Sequence, residues 1–220
     1  CEGRDIANLT GDARRAFNRR VQMIFQAPYS SLNPRMTVRQ MLAEALSVHR
    51  MRPLAEIPAR IAEMLDLVRL PADAADRFPH DFSGGQRQRI GIARALAVEP
   101  DVLVADELVS ALDVSVQAQV VNLLLQLQEK LQLTVVFVAH DLRLVRHISH
   151  RVAVMYLGRI VEIGPTEALF SAPRHPYTKA LLNAAPELDP NRRSTLVAAR
   201  GELPSPIFLP KGCPFNTRCP

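Results

Sequence analysis

Two carboxylates, Asp106 and Glu107, close the apolar run Val102-Leu103-Val104-Ala105, and the stretch Ser83-Gly84-Gly85-Gln86 opens a basic, helix-forming segment upstream of it. Each half has its own chemistry. A Ser N-cap followed by two residues without Cβ leaves backbone N–H groups at the positive end of a helix dipole, where phosphate oxygens bind. Carboxylates at the carboxyl end of a strand lie where open α/β sheets place their ligands. There Asp106 can hold Mg²⁺, largely through water, and Glu107 can polarise an attacking water. Taken singly, Ser83-Gly84-Gly85 also reads as a turn and Asp106-Glu107 as two solvated acids. Their order along one stretch, Phe82 to Asp113, points to phosphate chemistry.

The elements that must position these residues follow from the hydrophobic periods. A helix runs from about Gln86 to Ala97 and is broken at Glu99-Pro100-Asp101. The unbroken apolar run 102–105 predicts a parallel strand covered on both faces. Val120, Leu124, Leu127 and Leu131 recur at helical spacing, so Val114 to about Gln132 is an amphipathic helix. Thr134 to Ala139 is then a second buried strand, and it ends at His140. Strand, helix, strand makes a βαβ crossover with both strands ending on one edge, which brings His140 near Asp106 and Glu107. Upstream, Arg20 to Phe25 alternates like a strand, with Val21, Met23 and Phe25 on one face, and ends at Gln26. From Thr37 to about Leu70 the pattern is helical. Val38, Met41, Leu42, Ala45 and Leu46 form one core stripe and Ile61, Met64, Leu65 and Val68 another, with breaks at Pro53 and Pro58. Arg151 to Gly164 reads as a hairpin turning at Leu157-Gly158, and Thr166 to Phe170 as a short helix.

The joint pattern resembles the ATP-binding subunits of ABC transporters. In that family's terms Ser83-Gly84-Gly85-Gln86 is the signature motif, and 102–107 is the Walker B strand with its catalytic Glu107. Ser110-Ala111-Leu112-Asp113 is the D-loop. The resemblance implies that Asp106 holds Mg²⁺, that Gln26 begins a Q-loop whose amide reaches Mg²⁺ and the attacking water, and that His140 is the switch His that contacts the γ-phosphate. Gln26 to Arg35 is similar to the Q-loop of peptide and nickel importers, and His175-Pro176-Tyr177-Thr178 resembles a recurrent feature of the tail of peptide-importer ATPases, whose chemical role the residues do not reveal. The segment between Q-loop and signature resembles the family's helical subdomain. It is too short, and too free of heptads, for the coiled coil of the DNA-repair relatives. One departure stands out: Leu108-Val109 replaces the family's usual Pro-Thr after the Glu, which predicts a shifted loop.

Composition narrows the class further. With 220 residues, 48% hydrophobic, the chain can bury a core. No apolar run approaches the roughly 20 residues of a membrane helix, and the polar start has no signal-peptide pattern. The net charge is +5, and all but three of the 27 basic residues are scattered arginines, which read as solvated faces rather than a nucleic-acid surface. Three cysteines make no disulfide framework and fit a reducing cytoplasm. Some peptide-importer ATPases carry an iron–sulfur cluster on four tail cysteines. Cys213 and Cys219 alone cannot complete that site and read as free thiols. No lysine (Lys130, Lys179 or Lys211) lies in a Gly-x-x-x-x-Gly-Lys-Ser/Thr loop.

These readings predict an α/β fold: a P-loop NTPase-like ABC ATPase domain with a parallel-sheet core and a helical subdomain at about 37–97, without the P-loop strand and helix. The expected domains are a partial ATPase domain over 1–185 and a Pro-rich extension over 186–220. On this reading the chain is truncated before the Q-loop strand, and alone it is poorly stable and inactive. The expected function is powering import of peptides or nickel with ATP and Mg²⁺, on the cytoplasmic side of the inner membrane. Its partners would be permease subunits, a second ATPase subunit and, indirectly, a solute-binding protein, with no nucleic acid. A second reading is a non-catalytic partner that supplies only the signature motif.

Overall fold

A computed structural model describes residues 3, 5–25, 31–110, 112–184, 201, 202, 204, 205 and 207–219. Its contacts divide the chain into two units, Cys1–His140 and Asp141–Pro220. The expected boundary at 185/186 falls in a stretch outside the described residues.

The first unit is built on a parallel sheet in the order β1-β2-β3, with β1 Val21–Ile24, β2 Val102–Asp106 and β3 Thr134–Val138. Val21 pairs with Val102 and Val102 with Thr134, so Asp106 lies beside Val138 at the carboxyl edge. A basic helix, α1 (Gly11–Arg20), leads directly into β1. The helical segment holds α2 (Val38–Val48) and α3 (Ile57–Leu67). Both stripes read from the sequence are buried except at Ala45, which is half-buried: Val38, Met41, Leu42 and Leu46 on α2, and Ile61, Met64, Leu65 and Val68 along and just after α3. Burying each Leu or Ile stabilises this layer by about 1.5–3 kcal/mol. Pro58 does not break α3 but sits in its first turn, where its missing N–H costs nothing.

Helix α4 (Gly84–Leu96) packs on β1, with Gly91 facing Ile24. After β2 the chain runs through α5 (Val114–Leu131) to β3, which is the expected crossover. Gln132 ends α5 in the left-handed region, and Leu131, assigned to the buried stripe, is exposed.

The two core strands are less covered than their apolar runs predict. Leu103 and Ala105 are buried, while Val102 and Val104 are only half-buried. On β3 the correction is larger: Val136 is 49% and Val138 47% exposed. The reason is position. Among the described residues β3 is an edge strand, and its Thr134/Val136/Val138 face stays open in line with exposed Met23 on β1.

In the second unit, α6 (Leu142–Ile148) starts at Asp141, whose carboxylate caps the Arg143 and Leu144 amides. The hairpin of β4 (Arg151–Tyr156) and β5 (Arg159–Pro165) turns at Leu157-Gly158 as predicted. Both turn residues have positive φ, the hand that matches strand twist. Helices α7 (Thr166–Ser171) and α8 (Pro176–Asn183) follow. Here the His175-Pro176-Tyr177-Thr178 stretch acquires a structural role. His175 caps α8 through its Nδ1, which accepts from the Tyr177 amide, and Pro176 takes the first helical position. Tyr177 packs with Tyr156 and with Phe215 of the tail, ring centroids 4.6 and 5.4 Å away. The motif therefore fastens the tail to the hairpin within this unit. No described helix is long and apolar enough to cross a membrane.

Candidate phosphate and carboxylate site

The signature stretch folds as its residue types dictate. Ser83 Oγ accepts from the Gln86 amide, and Gln86 Oε1 accepts from the Ser83 amide at 3.0 Å. This reciprocal cap satisfies two end groups of α4 and engages the Gln86 side-chain oxygen. Ser83 is exposed and Gly84 half-buried, so the start of the helix faces solvent. Gly85 is buried because it has no room for a side chain: a Cβ there would drive into Val116 of α5. A Cβ on Gly84 would lie 3.1 Å from Leu112 Cδ2. The two glycines are thus seated against the loop and helix that follow Glu107.

At the carboxyl edge of the sheet, Asp106 ends β2 and is half-buried. Glu107 follows with φ 44°, in the left-handed region, and its amide donates to the Val138 carbonyl of β3. That bond carries the parallel pairing one residue past Asp106 and aims Glu107 along the edge. Its carboxylate meets His140: Glu107 Oε1 and His140 Nδ1 are 3.7 Å apart, with the Glu side chain 31% and the His side chain 72% exposed. The crossover brings this pair together, as the sequence implied. Ser110 closes the next turn, donating to the Glu107 carbonyl through both its amide and its hydroxyl. Leu108 and Val109, the departure from Pro-Thr, are buried in the core.

Asp113 caps α5 through its backbone carbonyl, which accepts from Val116 and Gln117, while its exposed carboxylate makes no cap hydrogen bond. Gln26 lies outside the described residues. Phe25, one residue before it, follows Ile24, the register partner of Ala105. Mg²⁺ in a nucleotide site keeps several waters and phosphate oxygens and needs only one or two protein carboxylates. A single half-buried Asp106 at the strand end fits that demand. Among the described residues no group of three or more His, Cys, Asp or Glu side chains is placed to hold a metal, and Cys213 and Cys219 are exposed free thiols.

Two positioning side chains were not read from the sequence. Arg94 on α4 sends its guanidinium to the Ser31 carbonyl at 2.6 Å. Burial pushes that guanidinium below its ordinary value, and Glu44 opposes the shift. Gln117 donates to the Val109 and Leu112 carbonyls, both at 2.9 Å. Its only signal in the sequence was a polar residue four positions after the helix cap.

Comparison with known proteins agrees with this geometry. The family model "ABC transporter" matches residues 1–110, and "Oligopeptide/dipeptide transporter, C-terminal region" matches 161–220. A putative peptide import ATP-binding protein of Brucella ovis is 53% identical over 219 residues, covering 100% of this chain and 69% of that protein. The putative oligopeptide transport ATP-binding protein YkfD of Bacillus subtilis is 52% identical, and the dipeptide transport ATP-binding protein DppF of Haemophilus influenzae 51%. Each match covers 99% of this chain and 67% of the relative. Among solved structures, CbiO1 of Clostridium perfringens, part of the CbiONQ ABC transporter complex, superposes with TM-score 0.66 at 26% identity, over 74% of this chain and 64% of that one. The ATP-binding cassette MJ0796, solved as a dimer in a post-hydrolysis state with ADP and Pi, gives 0.62 at 29% identity, over 72% and 68%. The chain belongs to the ATPase subunits of ABC transporters, in the group of oligopeptide and dipeptide import ATP-binding proteins.

Proposed function

We propose that this chain carries the hydrolytic half of an ATP site that drives peptide uptake. The observation that carries the proposal is the Glu107–His140 pair at the carboxyl edge of the parallel sheet, next to Asp106. Glu107 serves as the base that polarises the attacking water, and His140 orients that water and contacts the γ-phosphate. Asp106, with Gln26, holds Mg²⁺, which supplies charge compensation for the phosphates when bound. Phosphoryl transfer needs chiefly such positioning and charge compensation. Ser83, Gly84 and Gly85 offer their hydroxyl and amides to the phosphate of a facing subunit's site, with Gln86 holding that helix start and Asp113 alongside. The Gly-x-x-x-x-Gly-Lys loop that cradles β- and γ-phosphate does not occur among these 220 residues.

In this reading two ATPase subunits close on ATP at the cytoplasmic face of the membrane. The region around Tyr29 to Arg35 passes that closure to permease subunits, and a separate binding protein chooses the solute. The burial of Leu108 and Val109 favours a working loop over a vestigial one, because the Glu107 backbone keeps its bond to Val138.

The test is ATP hydrolysis by the intact transporter with Glu107→Gln. Loss of a general base lowers kcat by about a hundredfold or more while ATP binding persists. Unchanged kcat would overturn the assignment.

A further inference from the structure

One amide ties the loop after Glu107 shut. Gln117 Nε2 lies 2.9 Å from the Val109 carbonyl and 2.9 Å from the Leu112 carbonyl. A carboxamide nitrogen carries two hydrogens, so each carbonyl receives one. Gln117 is itself anchored, since its own amide donates to the Asp113 carbonyl at 2.8 Å and its side chain is half-buried. The upstream end of the same loop is pinned by Glu107 to Val138 and by Ser110 to the Glu107 carbonyl. Its downstream end, Leu112, rests against Gly84, and Val116 of the same helical turn rests against Gly85.

We infer that Gln117 is a positioning residue for ATP hydrolysis: by holding the Val109 and Leu112 carbonyls it sets the aim of Glu107 and the seat of the signature glycines together. The inference rests on the reading of Glu107 as the base. Its physical basis is that both of these groups act at sites where a misplacement of about 1 Å costs roughly a hundredfold in rate. Without the amide, the Leu112 carbonyl loses its donor and the Val109 carbonyl keeps only the Leu112 backbone amide at 3.1 Å, so the downstream end of the loop loses its tie to α5 and Leu112 can shift against Gly84. The loop then carries the error to Glu107 on one side and to the glycines on the other.

The experiment uses the intact transporter with Gln117→Leu, which removes the donor, Gln117→Glu, which keeps the length but turns acceptor oxygens toward both carbonyls, and Gln117→Lys, which restores donors. kcat, KM for ATP and the melting temperature are measured for each, beside wild type and Glu107→Gln. We expect the Leu and Glu variants to lose about tenfold to a hundredfold in kcat, with KM within about twofold and melting little changed, and the Lys variant to regain much of the loss. Unchanged kcat in the Leu variant overturns the inference. So does a loss that only follows melting temperature and is not restored by Lys. If the Leu variant does not assemble, the Glu variant decides by the same criteria. Hydrolysis indifferent to Glu107→Gln is a separate result, which overturns the reading of Glu107 and the inference with it.

Discussion

Glu107 and His140 face each other across the carboxyl edge of two parallel strands, 3.7 Å from Oε1 to Nδ1. They are far apart in sequence and meet because β2 and β3 pair in register with Asp106 beside Val138. His140 is the more exposed partner, with little side-chain surface buried. His140→Ala should therefore leave the melting temperature within the range of a surface change, about 0.5 kcal/mol, while lowering kcat for ATP by about a hundredfold. Paired melting and steady-state assays check both halves. A large stability loss with proportionate activity loss would assign His140 to the scaffold.

Gly85→Ala places a methyl group into Val116. The expected cost is about 1–3 kcal/mol of stability, since neither helix can withdraw without disturbing its layer. Val116→Ala in the same chain should recover much of it. Denaturation of the two single variants and the double variant gives the coupling directly, and simple additivity would count against the contact.

Ser83 serves two purposes that can be separated. Ser83→Ala removes the cap and should cost about 1 kcal/mol, whereas Ser83→Gly costs only a few tenths. If the hydroxyl also binds phosphate, both variants should lower hydrolysis to a similar degree despite their different stabilities. A Gly variant with wild-type kcat would restrict Ser83 to capping.

In the second unit the prediction concerns acid. Burial by itself pushes the Glu162 carboxyl up, but the Arg174 and His175 amides donate to it at 2.9 and 3.0 Å and hold it below its ordinary value. The buried Thr178 hydroxyl lies near enough to add to that depression, though outside hydrogen-bond geometry. With the folded pKa lower than the unfolded, the unfolded state binds more protons in this window. The stabilisation is complete above the ordinary value of 4.5 and is lost as pH falls through the depressed one. Glu162→Ala should cost about 1–2 kcal/mol near pH 7 and flatten this part of the acid-unfolding profile. A variant with the wild-type acid profile would assign the sensitivity elsewhere, for example to Asp141, which is also depressed.

Much of this was legible because it is local. The Ser83–Gln86 cap, the stripes on α2 and α3 and the hairpin at Leu157-Gly158 all follow from period and turn chemistry within a dozen residues. The open face of β3 was not legible, because an apolar run such as Val135-Val136-Phe137-Val138 reads the same on an edge strand as in a sheet interior. The role of His175-Pro176-Tyr177-Thr178 depends on Phe215 and Tyr156, which no local pattern links to it. Gln117 was overlooked for a related reason. A polar residue on an amphipathic helix looks like solvent-facing surface until the carbonyls in front of it are known.

The backbone of Glu107 carries one further implication. At φ 44° it occupies a conformation that suits glycine, and a side chain there costs of order 1 kcal/mol or more. On the proposed role of Glu107, activation of the attacking water and thermal endurance are opposed at this position. If Glu107 is the base proposed above, Glu107→Gly relieves the backbone strain and raises thermal stability while it abolishes hydrolysis.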